Sequence, residues 1–118
     1  MRVAFFGLPL AALLLAGDGH EIVYAGICRK GAIGTRRLTN RLGKGCVFVQ
    51  PDAGSEATFA RVKRAEADLL VSWFWTKQLP PRVLALGRLG AIGVHPSLLP
   101  RHRGPDPYFW AIDAGERW

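Results

Sequence analysis

The sequence is poor in the residues that most often carry metal or redox chemistry. It holds two cysteines, Cys28 and Cys46, and three histidines. With no CxxC pair and no His-rich tract, neither a disulfide scaffold nor a zinc site is indicated, and metal is expected to play no part. Sparse cysteine of this kind fits a reducing cytoplasm. No stretch approaches the roughly 18 uninterrupted apolar residues of a membrane-spanning helix, and there is no internal repeat or low-complexity tract. A membrane partner is therefore not expected. Acidic residues are scarce too: nine Asp and Glu stand against sixteen Lys and Arg, for a net charge of +7. That balance attracts phosphate- or carboxylate-bearing partners without identifying one. Two nucleotide signatures are also missing. Gly7 is a single glycine after the first apolar segment, where a dinucleotide fingerprint needs three at fixed offsets, and residues 26–34 lack the Lys-Ser/Thr pair of a phosphate loop.

What is present reads as one globular domain of 118 residues, 49% hydrophobic, with fourteen glycines and eight prolines. Apolar residues 3–16 follow Arg2 and have the composition of a secretory signal. Gly7 and Pro9, however, split the run into a strand-like piece and a helix-like piece, and the same pattern continues beyond it. Strands are expected at residues 1–6, 21–28, 46–50, 68–75 and 91–95. Helices are expected at 10–16, 35–42 with Gly43 as its cap, 55–67 burying Phe59 and Val62, from Pro80 and Pro81 to 86, and 108–114.

Short apolar strands alternating with helices predict an α/β fold: a Rossmann-like parallel sheet, order 3-2-1-4-5, with helices on both faces. In that order Cys28 lies at the carboxyl end of its strand and Cys46 at the amino end of the neighbour. A strand length of about 17 to 20 Å then separates them, too far for a disulfide. Ligands of such sheets bind outside the strand carboxyl ends. Three segments therefore fall into one cleft: the turn Gly7, Leu8, Pro9; the end of strand four, residues 72–79; and the loop after strand five.

Residues 95–104, His-Pro-Ser-Leu-Leu-Pro-Arg-His-Arg-Gly, resemble the folate-dependent formyltransferase family, whose hallmark is Asn-x-His-x-Ser-Leu-Leu-Pro. The resemblance runs over nearly the whole chain, through residues 1–9, 17–25, 68–80 and 108–116. It implies transfer of a formyl group from 10-formyltetrahydrofolate to an amine: a small molecule, phosphorylated or nucleotide-linked in several members, or methionyl-tRNA. The neutral amine attacks the formyl carbon, and a preplaced donor meets the charge that develops on oxygen. His95 is implied as the electrophile and proton-handling residue at the end of strand five. Trp73, Phe74, Trp75, Gln78 and Leu79 fall in the segment that lines the family's pterin pocket, largely through backbone groups. The alternative for these side chains is core packing beneath the two helical layers, with Trp73 and Trp75 on one face and Phe74 on the other. Ser97, Leu98, Leu99 and Pro100 would border folate and acceptor, with Arg101 and Arg103 as candidates for an anionic group.

Two departures bear on activity. The family's asparagine two residues before the histidine is Gly93 here, and loss of one oxyanion donor costs about 10²- to 10³-fold in rate. The family's aspartate lies a few dozen residues beyond the histidine, past the last residue, Trp118. The expectation is accordingly a fragment of impaired activity, with an uncovered fifth strand that invites self-association. A non-catalytic relative that binds a folate or an anion is the alternative. Residues 29–45 carry Arg29, Lys30, Arg36, Arg37, Arg41 and Lys44 and no acidic residue. Methionyl-tRNA members have a basic insertion in this region, but the connection here looks shorter and lacks interleaved aromatics, which counts against tRNA without closing it.

Overall fold

A computed structural model describes residues 1–115; Glu116, the end of the resemblance, lies outside them. Five strands, β1 (Arg2–Gly7), β2 (Glu21–Ile27), β3 (Val47–Val49), β4 (Leu69–Trp73) and β5 (Ala91–Val94), alternate with helices α1 (Pro9–Gly17), α2 (Thr35–Leu42), α3 (Glu56–Ala65), α4 (Pro81–Leu84) and α5 (Pro107–Asp113). The sheet is parallel, in the order β3-β2-β1-β4-β5.

The central position of β1 follows from its sequence, which is apolar on both faces as a doubly covered strand must be. Val3 and Phe5 enter one core with Ala11, Ala12, Ile22, Leu38 and Val71, beneath α1 and α2. Ala4 and Phe6 enter the other, with Tyr24, Val62, Leu70 and Val83, beneath α3 and α4. A bulge steps the β1–β2 register from Val3↔Ile22 to Ala4↔Tyr24. The apolar stretch 3–16 thus forms the central strand and its first helix.

Local chemistry sets the helix ends. Pro9 occupies the first turn of α1, where its missing N–H costs nothing. Gly43, at φ 89°, stops α2 as its composition predicts. Ser55 caps α3 by accepting from the Thr58 amide at 3.2 Å, with Glu56 in the first turn and Lys63 and Arg64 in the last. Val62 is buried and Phe59 packs against the same core, and Thr58, not anticipated, is buried too.

β4 is the one strand whose expected course fails. It stops at Trp73, because Phe74 turns to φ 55°. Trp73 consequently packs on the α1 side, while Trp75 reaches the opposite core and meets the Phe6 ring edge-on at 5.3 Å. The two tryptophans do not share a face.

Candidate functional site

The carboxyl ends of β1, β4 and β5 lie side by side. Gly7 pairs with Trp73, and Trp73 with Val94. The Leu8 amide donates to the Trp73 carbonyl at 3.2 Å, and the Phe74 amide to that of Val94 at 3.4 Å. Gly7 permits this convergence. It sits at φ 147°, and a Cβ there would lie 1.8 Å from the Trp73 carbonyl oxygen, so no other residue fits the backbone approach.

Beyond the ends of β4 and β5 opens a cleft of about 440 Å³ lined by Phe74, Val94, His95, Pro96 and Tyr108. Apart from His95 the walls are apolar or aromatic, suited to a flat ring with one group placed for chemistry. Of the five residues expected to line a ring pocket, Phe74 alone reaches this cleft. Trp73, Trp75 and Leu79 pack against the two cores, and Gln78 is exposed. Trp75 Nε1 is buried without a partner among the described residues. Val94, Pro96 and Tyr108 line it without having been expected to. For Tyr108 the signal was available, since it opens the helix just after the His95 loop.

His95 is held by its own loop. Its Nδ1 lies 2.9 Å from Ser97 Oγ and its Nε2 3.1 Å from the Gly104 carbonyl oxygen, and Ser97 Oγ is also 2.9 Å from the Arg101 carbonyl. A carbonyl only accepts, so Nε2 carries a proton here. Two proton arrangements satisfy the set. In the neutral ring, Ser97 donates to Nδ1; in the imidazolium, Nδ1–H donates to Ser97 Oγ and the serine proton turns to the Arg101 carbonyl. A single hydroxyl rotation thus accommodates both charge states of the ring, with no carboxylate partner among the described residues.

Leu98, Leu99, Pro100, Arg101 and Arg103 are exposed around this loop. Gly93 is exposed on β5, where an added Cβ would meet nothing nearer than the Ser72 carbonyl oxygen at 3.9 Å. Cys28 stands at the end of β2, its amide donating to the Gly7 carbonyl, and burial pushes its thiol above the ordinary range, which makes it a poor nucleophile. Both cysteines are free. Among the described residues there is no cluster of three or more His, Cys, Asp or Glu able to hold a metal, and no helix is long and apolar enough to cross a membrane.

The basic residues 29, 30, 36, 37, 41 and 44 are all exposed, at the β2–β3 side of the sheet. At about 4.8 Å per strand they stand roughly 15 to 20 Å from the β5 edge. A second cleft, of about 430 Å³, opens at the amino ends of the strands beside Arg2, His20 and Arg41. Arg41 of the basic segment lines it, whereas none of the residues expected around His95 does.

The formyl transferase family profile matches residues 28–118. The chain is 37% identical to a methionyl-tRNA formyltransferase of Anaeromyxobacter sp. (strain K), covering 99% of this chain and 41% of that protein. It is 32% identical to a GDP-perosamine N-formyltransferase of Brucella melitensis, covering 97% of this chain and 46% of that one. The chain therefore spans less than half the length of these curated relatives. In fold it is similar to the crystal structure of phosphoribosylglycinamide formyltransferase from Bacillus halodurans, with a TM-score of 0.76 at 21% identity over 98% of this chain and 66% of that one.

Proposed function

This chain belongs to the formyl transferase family, and from that premise we propose that its cleft takes 10-formyltetrahydrofolate and passes the formyl group to an amine. The observation that carries the reading is His95, presented at the end of β5 against the aromatic walls Phe74 and Tyr108, with ring hydrogen bonds that suit either charge state. The pterin lies against those walls and the backbone that follows β4. As the imidazolium, His95 polarises the formyl oxygen through Nε2–H while the amine attacks, gives that proton to the departing folate nitrogen, and takes in its place the proton the amine loses. For this, Nε2 leaves the Gly104 carbonyl, so the loop at residues 96–104 shifts when ligand enters. No metal is required.

The acceptor is a small amine bearing phosphate. Arg103 and Arg101 stand exposed on the loop beside His95, and a relative named for a GDP-linked sugar supports a nucleotide-linked acceptor. The short basic connection at residues 29–45, which carries no interleaved aromatic residue, makes tRNA the lesser acceptor reading.

Gly93 favours a second reading, a folate- or anion-binding relative without turnover. A substitution at position 93 tests between the two, because a side chain has room there. Formyl transfer is measured for the chain and for Gly93→Asn against a panel of phosphorylated amines and an amino-sugar nucleotide. The catalytic reading expects a gain of up to about 10²-fold, the worth of one oxyanion donor, that His95→Asn abolishes. No transfer in any variant leaves the binding reading.

A further inference from the structure

Beside the unfilled place at Gly93 stands a hydroxyl with no task. In the parallel ladder of β4 and β5, Ser72 lies opposite Gly93, and opposed residues of a parallel pair send their side chains to the same face. His95 follows two residues on, just past the end of β5. Ser72 is half-buried at the cleft end of β4, and its hydroxyl makes no hydrogen bond among the described residues. The one heavy atom within 4 Å of a Cβ built on Gly93 is the Ser72 carbonyl oxygen, at 3.9 Å, so the vacant side-chain position adjoins β4 at Ser72.

We propose that Ser72 is a catalytic residue supplying the oxyanion donor that Gly93 cannot. The proposal rests on the formyl transfer reading above and deepens it. The amine lone pair forms a C–N bond to the formyl carbon, and the C=O electron pair moves to oxygen, where the Ser72 O–H donates a hydrogen bond. The C=O then re-forms, the bond from carbon to the folate N10 breaks, and the proton lost by the amine passes through His95 to N10. Ser72 keeps its proton throughout. Its role is electrostatic, and a hydroxyl that no other described group engages can turn its proton to the developing charge.

The test uses the 118-residue chain with two probes, 10-formyl-5,8-dideazafolate labelled with ¹³C at the formyl carbon and the same molecule without the formyl group. If Ser72 donates to the formyl oxygen, the chain prefers the formylated probe, and Ser72→Ala loses about tenfold of that preference. The formyl ¹³C resonance of the bound probe then moves upfield, and Ser72→Ala/Gly93→Asn restores both signals because an amide now points at the same oxygen. An unchanged preference and resonance in Ser72→Ala, with its thermal melt intact, overturns the Ser72 assignment and leaves folate binding standing. Failure of the folded chain to bind either probe overturns the folate reading itself, and Ser72 with it.

Discussion

Gly7 is where the chain is least replaceable, and its cost is legible atom by atom. A methyl group at this position would sit 1.8 Å from the Trp73 carbonyl oxygen, and φ 147° is strained for any L side chain. Relief would require β1 and β4 to part at the end where the cleft forms. Gly7→Ala is expected to cost at least about 3 kcal/mol and to lower Tm by about 10 °C or more, and a melt within about 2 °C of the parent would contradict the close approach. The sequence identified Gly7 as a tight turn without revealing its neighbour, because the contact is made by a strand more than sixty positions away. His95 was legible for a different reason: the residues flanking it form a long, specific motif. Ser72 was not, since a hydroxyl facing an empty position becomes visible only when the β4–β5 register is known.

At the scale of elements, the strands were legible as apolar runs bounded by Gly and Pro, and the observed ends fall within two residues of expectation. Apolar content does not encode φ, which is why Phe74 at 55° went unseen and the side chains beyond it were assigned to the wrong face. A second element-level feature lies at the opposite end of the sheet. Asp68 accepts from the Arg2 amide at 2.9 Å and from Arg88 Nε and Nη2 at 3.1 and 2.9 Å. It thereby ties the start of β1 to the start of β4 and to the turn that leads into β5. Those hydrogen bonds, the Arg2 amide first and then the Arg88 side chain, hold its carboxyl below the usual value of 3.8. A depressed carboxylate stabilises the fold above its unfolded pKa, and that contribution is lost as pH falls through the folded one. Asp68→Asn should therefore be less stable than the parent at pH 7, and the difference should shrink progressively below about pH 4. Parallel denaturation curves at pH 7 and pH 3 check this; a gap of equal size at both would show that the hydrogen bonds, not the charge, matter.

For the molecule as a whole, the strand order was derivable because right-handed crossovers leave few ways to wind five parallel strands. The same order decides which side is vulnerable. β5 lies at one edge, and its Ala91, Ile92 and Gly93 are exposed. Across the described residues, exposed apolar groups gather after that edge: Leu98, Leu99, Phe109, Trp110 and Ile112 are 50 to 73% accessible, beside Ile92 at 54%. The opposite edge, β3, is three residues long and flanked by the basic α2 region, which blunts it by charge repulsion. An open, apolar, weakly charged edge pairs with another copy of itself. The chain is therefore expected to show a sedimentation coefficient that rises with concentration. Ile92→Lys places a charge on that edge without touching the cleft lining or the β4 partner of Gly93, and should hold the chain monomeric at the same loading. A concentration-independent monomer for the parent chain would mean that the twist of β5 and the loop at residues 96–106 already shield its open hydrogen bonds. Association unaffected by the lysine would instead move the contact to the exposed aromatics of α5.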